Sequence, residues 1–327
     1  MDAAQRRYFV PGLLGLYLLG MTTPGFAQQN YPVRPVKIIV PSAAGGGTDS
    51  TTRLVVPKLD EFLGQRVLVD NRAGAASMIG SEMVARAAPD GYTLLTAIST
   101  ITIQPSMQKS LPYDVLKDFA PISQFVILPN ILVGHPSLKP KTVKELIAFA
   151  KSRPGQLEFA SAGTGSNLHL CMEMFLAMTG LKMVHIPYKG SGQAIADLAA
   201  GYVPLMITNM ITGTRQVGAG RLHAYGVTSA RRSAAAPEVP TIAEQGVAGY
   251  EAVQWYGLVA PAGTPRDVIA KLHKGVSFAL QDAAVRARFR ASGAEPIGNT
   301  PEEFAAVLRA DMAKWAKVVK AAGLSPR

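Results

Sequence analysis

One stretch constrains the fold of this chain more than any other: Val36-Lys37-Ile38-Ile39-Val40-Pro41-Ser42-Ala43-Ala44-Gly45-Gly46-Gly47-Thr48-Asp49. It begins as a short β-branched apolar run, the pattern of a buried strand. Pro41 ends that strand. Three glycines follow, and Thr48 or Asp49 stands where a helix N-cap is expected. The spacing Leu54, Val55, Leu59, Phe62, Leu63 then reads as an amphipathic helix, with a kink expected at Pro57. Strand, glycine loop and helix start together make an anion site. Glycine lets the backbone approach a ligand, and the first-turn N–H groups have no partner inside the helix. A phosphate or a carboxylate would satisfy such a site. Phosphate loops carry Gly-Lys-Ser/Thr or G-x-G-x-x-G, and this loop has neither. A carboxylate is the better match, with a plain glycine-rich βα turn as the alternative.

The middle of the chain repeats the design. Thr142-x-x-Glu145 is a capping box for a helix that stops at Arg153-Pro154-Gly155. Leu157 to Ser161 reads as a strand. Ala162-Gly163-Thr164-Gly165-Ser166-Asn167 follows, with Ser166 as N-cap of a helix closed by Gly180. Strands and helices alternate elsewhere too, and Thr300-x-x-Glu303 caps a final helix. This order predicts α/β layers with mostly parallel sheets flanked by helices. Two equivalent anion loops predict two such domains, each offering a loop at the carboxyl ends of its strands. A total of 327 residues accommodates two medium domains. The extended run from Ile122 to Val133, broken by Pro129, marks a passage between them.

The N-terminus has the layout of an export signal. Arg6 and Arg7 precede the apolar run Val10 to Gly20, which is too short to span a membrane, and Gly25-Phe26-Ala27 is a small-x-small cleavage site. The mature chain is expected to begin near Gln28 after export. The paired arginines leave Sec and twin-arginine export both open. No other stretch approaches transmembrane length.

Charge narrows the partners. The formal net charge is +11, of which residues 1–27 supply only +1. Nucleic-acid binding would want basic clusters interleaved with aromatics. Arg231-Arg232 and Arg286, Arg288 and Arg290 lack them, so the excess reads as a solvated surface that favours small anionic ligands. The sole cysteine, Cys171, falls in the helical pattern Leu168, Cys171, Met172, Phe175, Leu176 and reads as a buried structural thiol. There is no Gly-x-Ser-x-Gly, His-Glu-x-x-His or Cys-x-x-Cys, and the five histidines are scattered. Neither an enzyme nor a metal or other cofactor is expected.

A series of motifs carries a resemblance. In order they are Gly45-Gly46-Gly47-Thr48-Asp49, Asn71-Arg72-Ala73-Gly74, Ala88-Pro89-Asp90-Gly91-Tyr92, Leu111-Pro112-Tyr113-Asp114, Pro187-Tyr188-Lys189-Gly190, Tyr256-Gly257-Leu258-Val259-Ala260-Pro261 and Gly293-Ala294-Glu295-Pro296. Over the whole mature chain this resembles the Bug-type receptors, the periplasmic solute-binding components of tripartite tricarboxylate transporters. The resemblance implies a two-domain, type II periplasmic-binding-protein fold of the Venus-flytrap kind. Domain 1 would be discontinuous (residues 28–125 and 252–327), and domain 2 would span 126–251. It further implies a monomer that captures a small carboxylate between its domains and delivers it to a membrane permease. The alternative is a receptor that signals to a membrane sensor kinase.

The resemblance places first-domain contacts on Ser42, Ala43, Ala44, Gly46, Gly47, Thr48 and Asp49, with Thr96, Ser99 and Thr100. Second-domain contacts fall on Gly163, Thr164, Gly165, Ser166 and Asn167, with His169, Tyr188 and Thr208 beside them. Backbone N–H groups, helped by the hydroxyls of Thr48, Thr164 and Ser166, would hold the ligand without an arginine clamp. A packed helix residue is the simpler reading of His169, and Tyr188-Lys189 also reads as a surface turn. Two departures stand out. Leu168 replaces a glycine common among relatives, and Thr208-Asn209 stand where many carry an aspartate. Lacking that carboxylate, the pocket points to simple carboxylates rather than amino acids.

Overall fold

The computed structural model describes residues 31–324, apart from 43, 46 and 189. The expected export signal and the start at Gln28 lie outside the described residues. The elements run β1 (Val36–Val40), α1 (Gly47–Leu63), β2 (Val67–Asn71), a 3-10 turn (Ala75–Ser77), α2 (Met78–Ala85), β3 (Thr93–Ile98), α3 (Thr100–Met107) and β4 (Phe119–Leu128). They continue with β5 (Asn130–Gly134), α4 (Val143–Lys151), β6 (Glu158–Ser161), α5 (Asn167–Thr179), β7 (Val184–Pro187), α6 (Ser191–Ala199), β8 (Leu205–Asn209), α7 (Met210–Gly218) and β9 (His223–Val227). The chain closes with β10 (Gln254–Pro261), α8 (Arg266–Gln281), α9 (Ala283–Ala291), β11 (Glu295–Pro296) and α10 (Pro301–Ala321).

Two sheets result, one ordered β11-β4-β10-β3-β1-β2 and the other β7-β6-β8-β5-β9. Helices flank both, giving the two-domain type II architecture. Pro129 alone separates β4 of the first sheet from β5 of the second, and the chain returns between β9 and β10. Proline cannot donate to a ladder, so it suits the one residue that belongs to neither sheet.

Most strands of each sheet share one direction, as expected, and each sheet is mixed through a reversed strand. β1, β2 and β3 run parallel, whereas β10 is antiparallel to both β3 and β4. In the second sheet β6, β7 and β8 run parallel, and β5 is antiparallel to β8 and β9. The exceptions have one cause. A strand arriving from the other domain enters at the carboxyl ends of its neighbours and must run against them. β10 is the arriving strand of the first sheet and β5 of the second. The two-residue β11 also runs against β4.

Each sheet buries apolar faces under its helices. Ile38 and Val40 pack with Val55 and Leu59 of α1 and with Leu272 and Val276 of α8. Leu132, Phe159 and Met206 pack with Leu170 and Phe175 of α5. Two helices serve both domains. Phe304 and Leu308 of α10 join Trp255 in the first domain, while its Trp315, Val318 and Val319 join the core of the second. α3 likewise places Ile101 in the first domain and Ile103 and Met107 in the core of the second. At about 1.5–3 kcal/mol per buried large apolar side chain, these contacts hold the domains together firmly.

The sequence pattern did not show α3. Thr100-Ile101-Thr102-Ile103 is β-branched, and Pro105 follows, so intrinsic preference opposes a helix. Packing of Ile101, Ile103 and Met107 outweighs that preference. α1 runs as one element through Pro57.

Candidate ligand-binding site

The two glycine loops sit at equivalent places, at the carboxyl ends of β1 and β6 and ahead of α1 and α5. Ser166 caps α5 as expected, its hydroxyl accepting the His169 N–H at 3.2 Å. The cap of α1 differs from expectation. The helix already begins at Gly47, which makes Asp49 its third residue rather than its N-cap. From there the Asp49 carboxylate reaches back and accepts the Gly45 N–H at 2.8 Å, along with Arg53 Nε at 2.9 Å and Asn71 Nδ2 at 3.0 Å. An acid at the third position commonly closes a helix start this way. Burial opposes its ionisation, but the hydrogen bonds from Arg53, Gly45 and Asn71, with the Arg53 charge, outweigh it and hold the carboxyl below its ordinary range.

The second loop is tied from behind in the same way. Ser161 Oγ accepts the Gly163 N–H at 3.0 Å, and His169 Nδ1 accepts the Gly165 N–H at 3.1 Å. Gly163 and Gly165 have φ of 125° and 79°, values that favour glycine. Three loop donors, on Gly45, Gly163 and Gly165, are thus engaged with side chains of their own domain. The first-turn N–H groups of α1 and α5, which have no intrahelical acceptor, are the donors best placed for a ligand.

The expected contact residues divide by position. Gly47, Ala44 and Thr164 are exposed, while Ser42, Gly163, Gly165, Ser166, Thr100 and Tyr188 are half-buried. Thr48, Asp49, Thr96, Ser99, Asn167, His169 and Thr208 are buried. Ala43, Gly46 and Lys189 lie outside the described residues. Thr96 Oγ1 lies 3.1 Å from Thr52 Oγ1, an internal pairing. Ser99 uses its backbone, donating to the Trp255 carbonyl and accepting from Thr102. Asn167 Oδ1 accepts from Asn130 Nδ2 at 3.3 Å, but its Nδ2 is buried without a partner, as are Thr208 Oγ1 and Ser42 Oγ. Across the two domains, the methyl end of Met107 lies close beside Gly165.

A cavity of about 250 Å³ lies where the domains meet. Gly47 and Tyr256 line it from the first domain, Asn130, Asn209 and Met210 from the second, and Pro129 from the crossing. Of the expected contacts only Gly47 is in this lining. Tyr256, Asn130 and Asn209 were not among the expected contacts, although Tyr256 opens one of the quoted motifs. Burial pushes the Tyr256 phenol up, and a hydrogen bond with Thr48 brings it partly back. The Asn209 side-chain oxygen Oδ1 accepts the Thr212 N–H at 2.9 Å and so caps α7. Among the described residues no cluster of three His, Cys, Asp or Glu side chains has the arrangement to hold a metal ion.

Comparison with known proteins decides the family. The sequence model of the tripartite tricarboxylate transporter family receptors matches residues 51–324. The chain belongs to that receptor family. Protein BugT of Bordetella pertussis is 39% identical, covering 95% of this chain and 96% of its own. Among solved structures, R. palustris Rpa4515 with adipate is 36% identical with a TM-score of 0.76, covering 91% of this chain and 100% of its own. MatC from Rhodopseudomonas palustris with bound malate is 31% identical with a TM-score of 0.72, covering 88% and 100%. Two solved structures of this fold thus hold small dicarboxylates, adipate and malate, and the matched family is one of receptors.

Proposed function

We propose that this receptor family member captures a small dicarboxylate between its two domains and presents it to a membrane permease. The observation that carries the reading is the pair of glycine loops without Lys or Arg, each leading into a helix N-terminus, on domains joined by two crossings. Helix N-termini attract carboxylates through unpaired N–H groups and the helix dipole. Hydrogen bonds to a charged acceptor contribute about 1.5–3 kcal/mol each, so a few reach micromolar binding, about −8 kcal/mol, without a paired cation. Adipate and malate in the two relatives support the same ligand class. Asn209 in place of the expected aspartate leaves that position uncharged, favouring a simple dicarboxylate over an amino acid.

The domains take the boundaries 28–125 with 252–327, and 126–251. The protein acts as a periplasmic monomer after removal of residues 1–27. A thermal-shift panel of adipate, malate, citrate and glutamate tests the reading, since a ligand that binds only the folded state raises the melting temperature. Stabilisation by a dicarboxylate at micromolar concentration is expected. A panel without any shift, followed by calorimetry without heat, would refute it.

A further inference from the structure

We infer that His169 is a positioning residue whose neutral imidazole braces the second glycine loop, and that its protonation releases the loop and weakens ligand binding. The inference rests on the carboxylate reading for its effect on affinity, and on the geometry of four side chains for the brace itself.

His169 is buried on α5. Its Nδ1 accepts the Gly165 N–H, so the ring proton resides on Nε2, which faces Glu173 Oε1 at 3.2 Å. The His185 ring of β7 lies against it, with centroids 3.8 Å apart and planes 18° from parallel. His185 Nε2 is 2.6 Å from Ser161 Oγ. Because that hydroxyl oxygen accepts from the Gly163 N–H, its proton is available to His185 Nε2. Both imidazoles thus serve the loop through nitrogen lone pairs, one directly and one through Ser161.

The groups facing His169 are Glu173 from its own helix, His185 from β7 and uncharged Phe159 from β6, its ring centroid 6.1 Å away. Two imidazolium rings at 3.8 Å repel, so the pair accepts one proton at a time. On His169 the ring nitrogen without a proton is Nδ1, the atom that holds Gly165, so a proton taken up there displaces that bond. Burial, then the charge of His169, push His185 down to about 4, which keeps it the neutral partner.

The sign of the effect follows from the same arrangement. With Nδ1 protonated, two donors face each other and the Gly165 bond is lost. The new charge sits beside the Glu173 carboxylate, so the pair is close to neutral and its attraction for a bound anion is small. Loss of loop geometry is the larger effect, and affinity falls on acidification.

The test uses the full mature protein with adipate, or malate if adipate does not bind. Asparagine at position 169 presents an oxygen near the place of Nδ1 and does not titrate. Calorimetry from pH 8 to pH 5 follows the ratio of H169N to wild-type affinity. That ratio should rise about tenfold between pH 8 and pH 5, the size of one lost hydrogen bond. Protonation of the ligand affects both proteins alike and cancels in the ratio. H169L, which removes the acceptor at every pH, should bind weakly throughout. A ratio that stays constant with pH while carboxylate binds would overturn the brace and leave the carboxylate reading standing. Should neither dicarboxylate bind at any pH, that reading fails, and NMR of the ligand-free protein decides the brace alone. A Gly165 amide resonance that titrates with the His169 ring supports it, and one indifferent to that titration overturns it.

Discussion

Asn130 and Thr228 join the two interdomain crossings. The Asn130 N–H donates to Thr228 Oγ1 at 2.8 Å, and the Thr228 N–H returns to the Asn130 carbonyl at 2.9 Å. Asn130 follows Pro129 on the outbound crossing and opens β5, and Thr228 follows directly after β9 at the start of the return. Both residues are almost wholly buried. The pair therefore ties the outbound and return segments together where they meet the second sheet.

Replacing Thr228 by valine keeps the shape but leaves the Asn130 N–H without an acceptor. An unpaired buried donor costs about 1–3 kcal/mol. Urea denaturation should show a loss of that size for T228V and less than half of it for T228S, which keeps the hydroxyl. A loss in T228V no larger than that in T228S would show that the hydroxyl acceptor adds nothing to stability.

Asp49 should make stability depend on acid. Its folded carboxyl is held below the ordinary range, so it binds its proton less readily folded than unfolded. The unfolded chain then takes up protons first as pH falls. The contribution is fully present above the ordinary aspartate range and is lost as pH drops through the lower folded value. D49N should cost about 1–3 kcal/mol at neutral pH, because hydrogen bonds to a charged group are weakened. The gap between wild type and D49N should narrow below pH 4. A gap of constant size from pH 7 to pH 3 would show that the charge of Asp49 contributes nothing.

Much of this was legible in the sequence, and the gaps have physical causes. The strand, glycine loop and helix start at Val36 to Leu63 and at Leu157 to Thr179 depend on local rules, and so they read directly. So did the caps at Ser166 and Thr300. The reversed strands did not. β5 and β10 look like any other buried strand, and only the crossings reverse them. α3 was hidden because its helix is imposed by packing against residues far along the chain. The site shows the same division. The loops were evident, whereas Tyr256, Asn130 and Asn209 reach the cavity through tertiary placement, and the His169–His185 stack joins residues whose spacing follows no helical or strand period.

Asp311 of α10 fastens that helix to the first domain. Its Oδ2 accepts Trp255 Nε1 at 2.6 Å and its Oδ1 faces Lys314 Nζ at 2.8 Å, with Asp311 itself buried. D311A would leave the indole N–H buried without its acceptor and Lys314 without its partner. Removing one member of a buried charged network typically costs about 3–5 kcal/mol. D311A should unfold at markedly lower urea, and the Trp255 fluorescence should shift in the native state. A loss under 1 kcal/mol would mean that water replaces the carboxylate at once.

Gly47 and Gly165 separate the ligand role of a glycine from its structural one. Gly165 has φ of 79°, and a Cβ there would come within 2.9 Å of the Met107 methyl. Left-handed backbone costs a non-glycine residue about 1–2 kcal/mol. Met107 can swing aside, so G165A should lose about that much stability. Gly47 differs. It opens α1, its φ is not positive, and an added Cβ would meet only the Tyr256 hydroxyl, at 3.7 Å. Alanine is a better helix former than glycine by up to about 1 kcal/mol, so G47A should fold at least as well as the wild type. Its methyl would, however, stand in the cavity lining, beside the N–H groups assigned to the carboxylate. Calorimetry should therefore show G47A stable in urea yet weaker for dicarboxylate by tenfold or more, about 1.4 kcal/mol. Wild-type affinity in G47A would place the anion away from the N-terminus of α1.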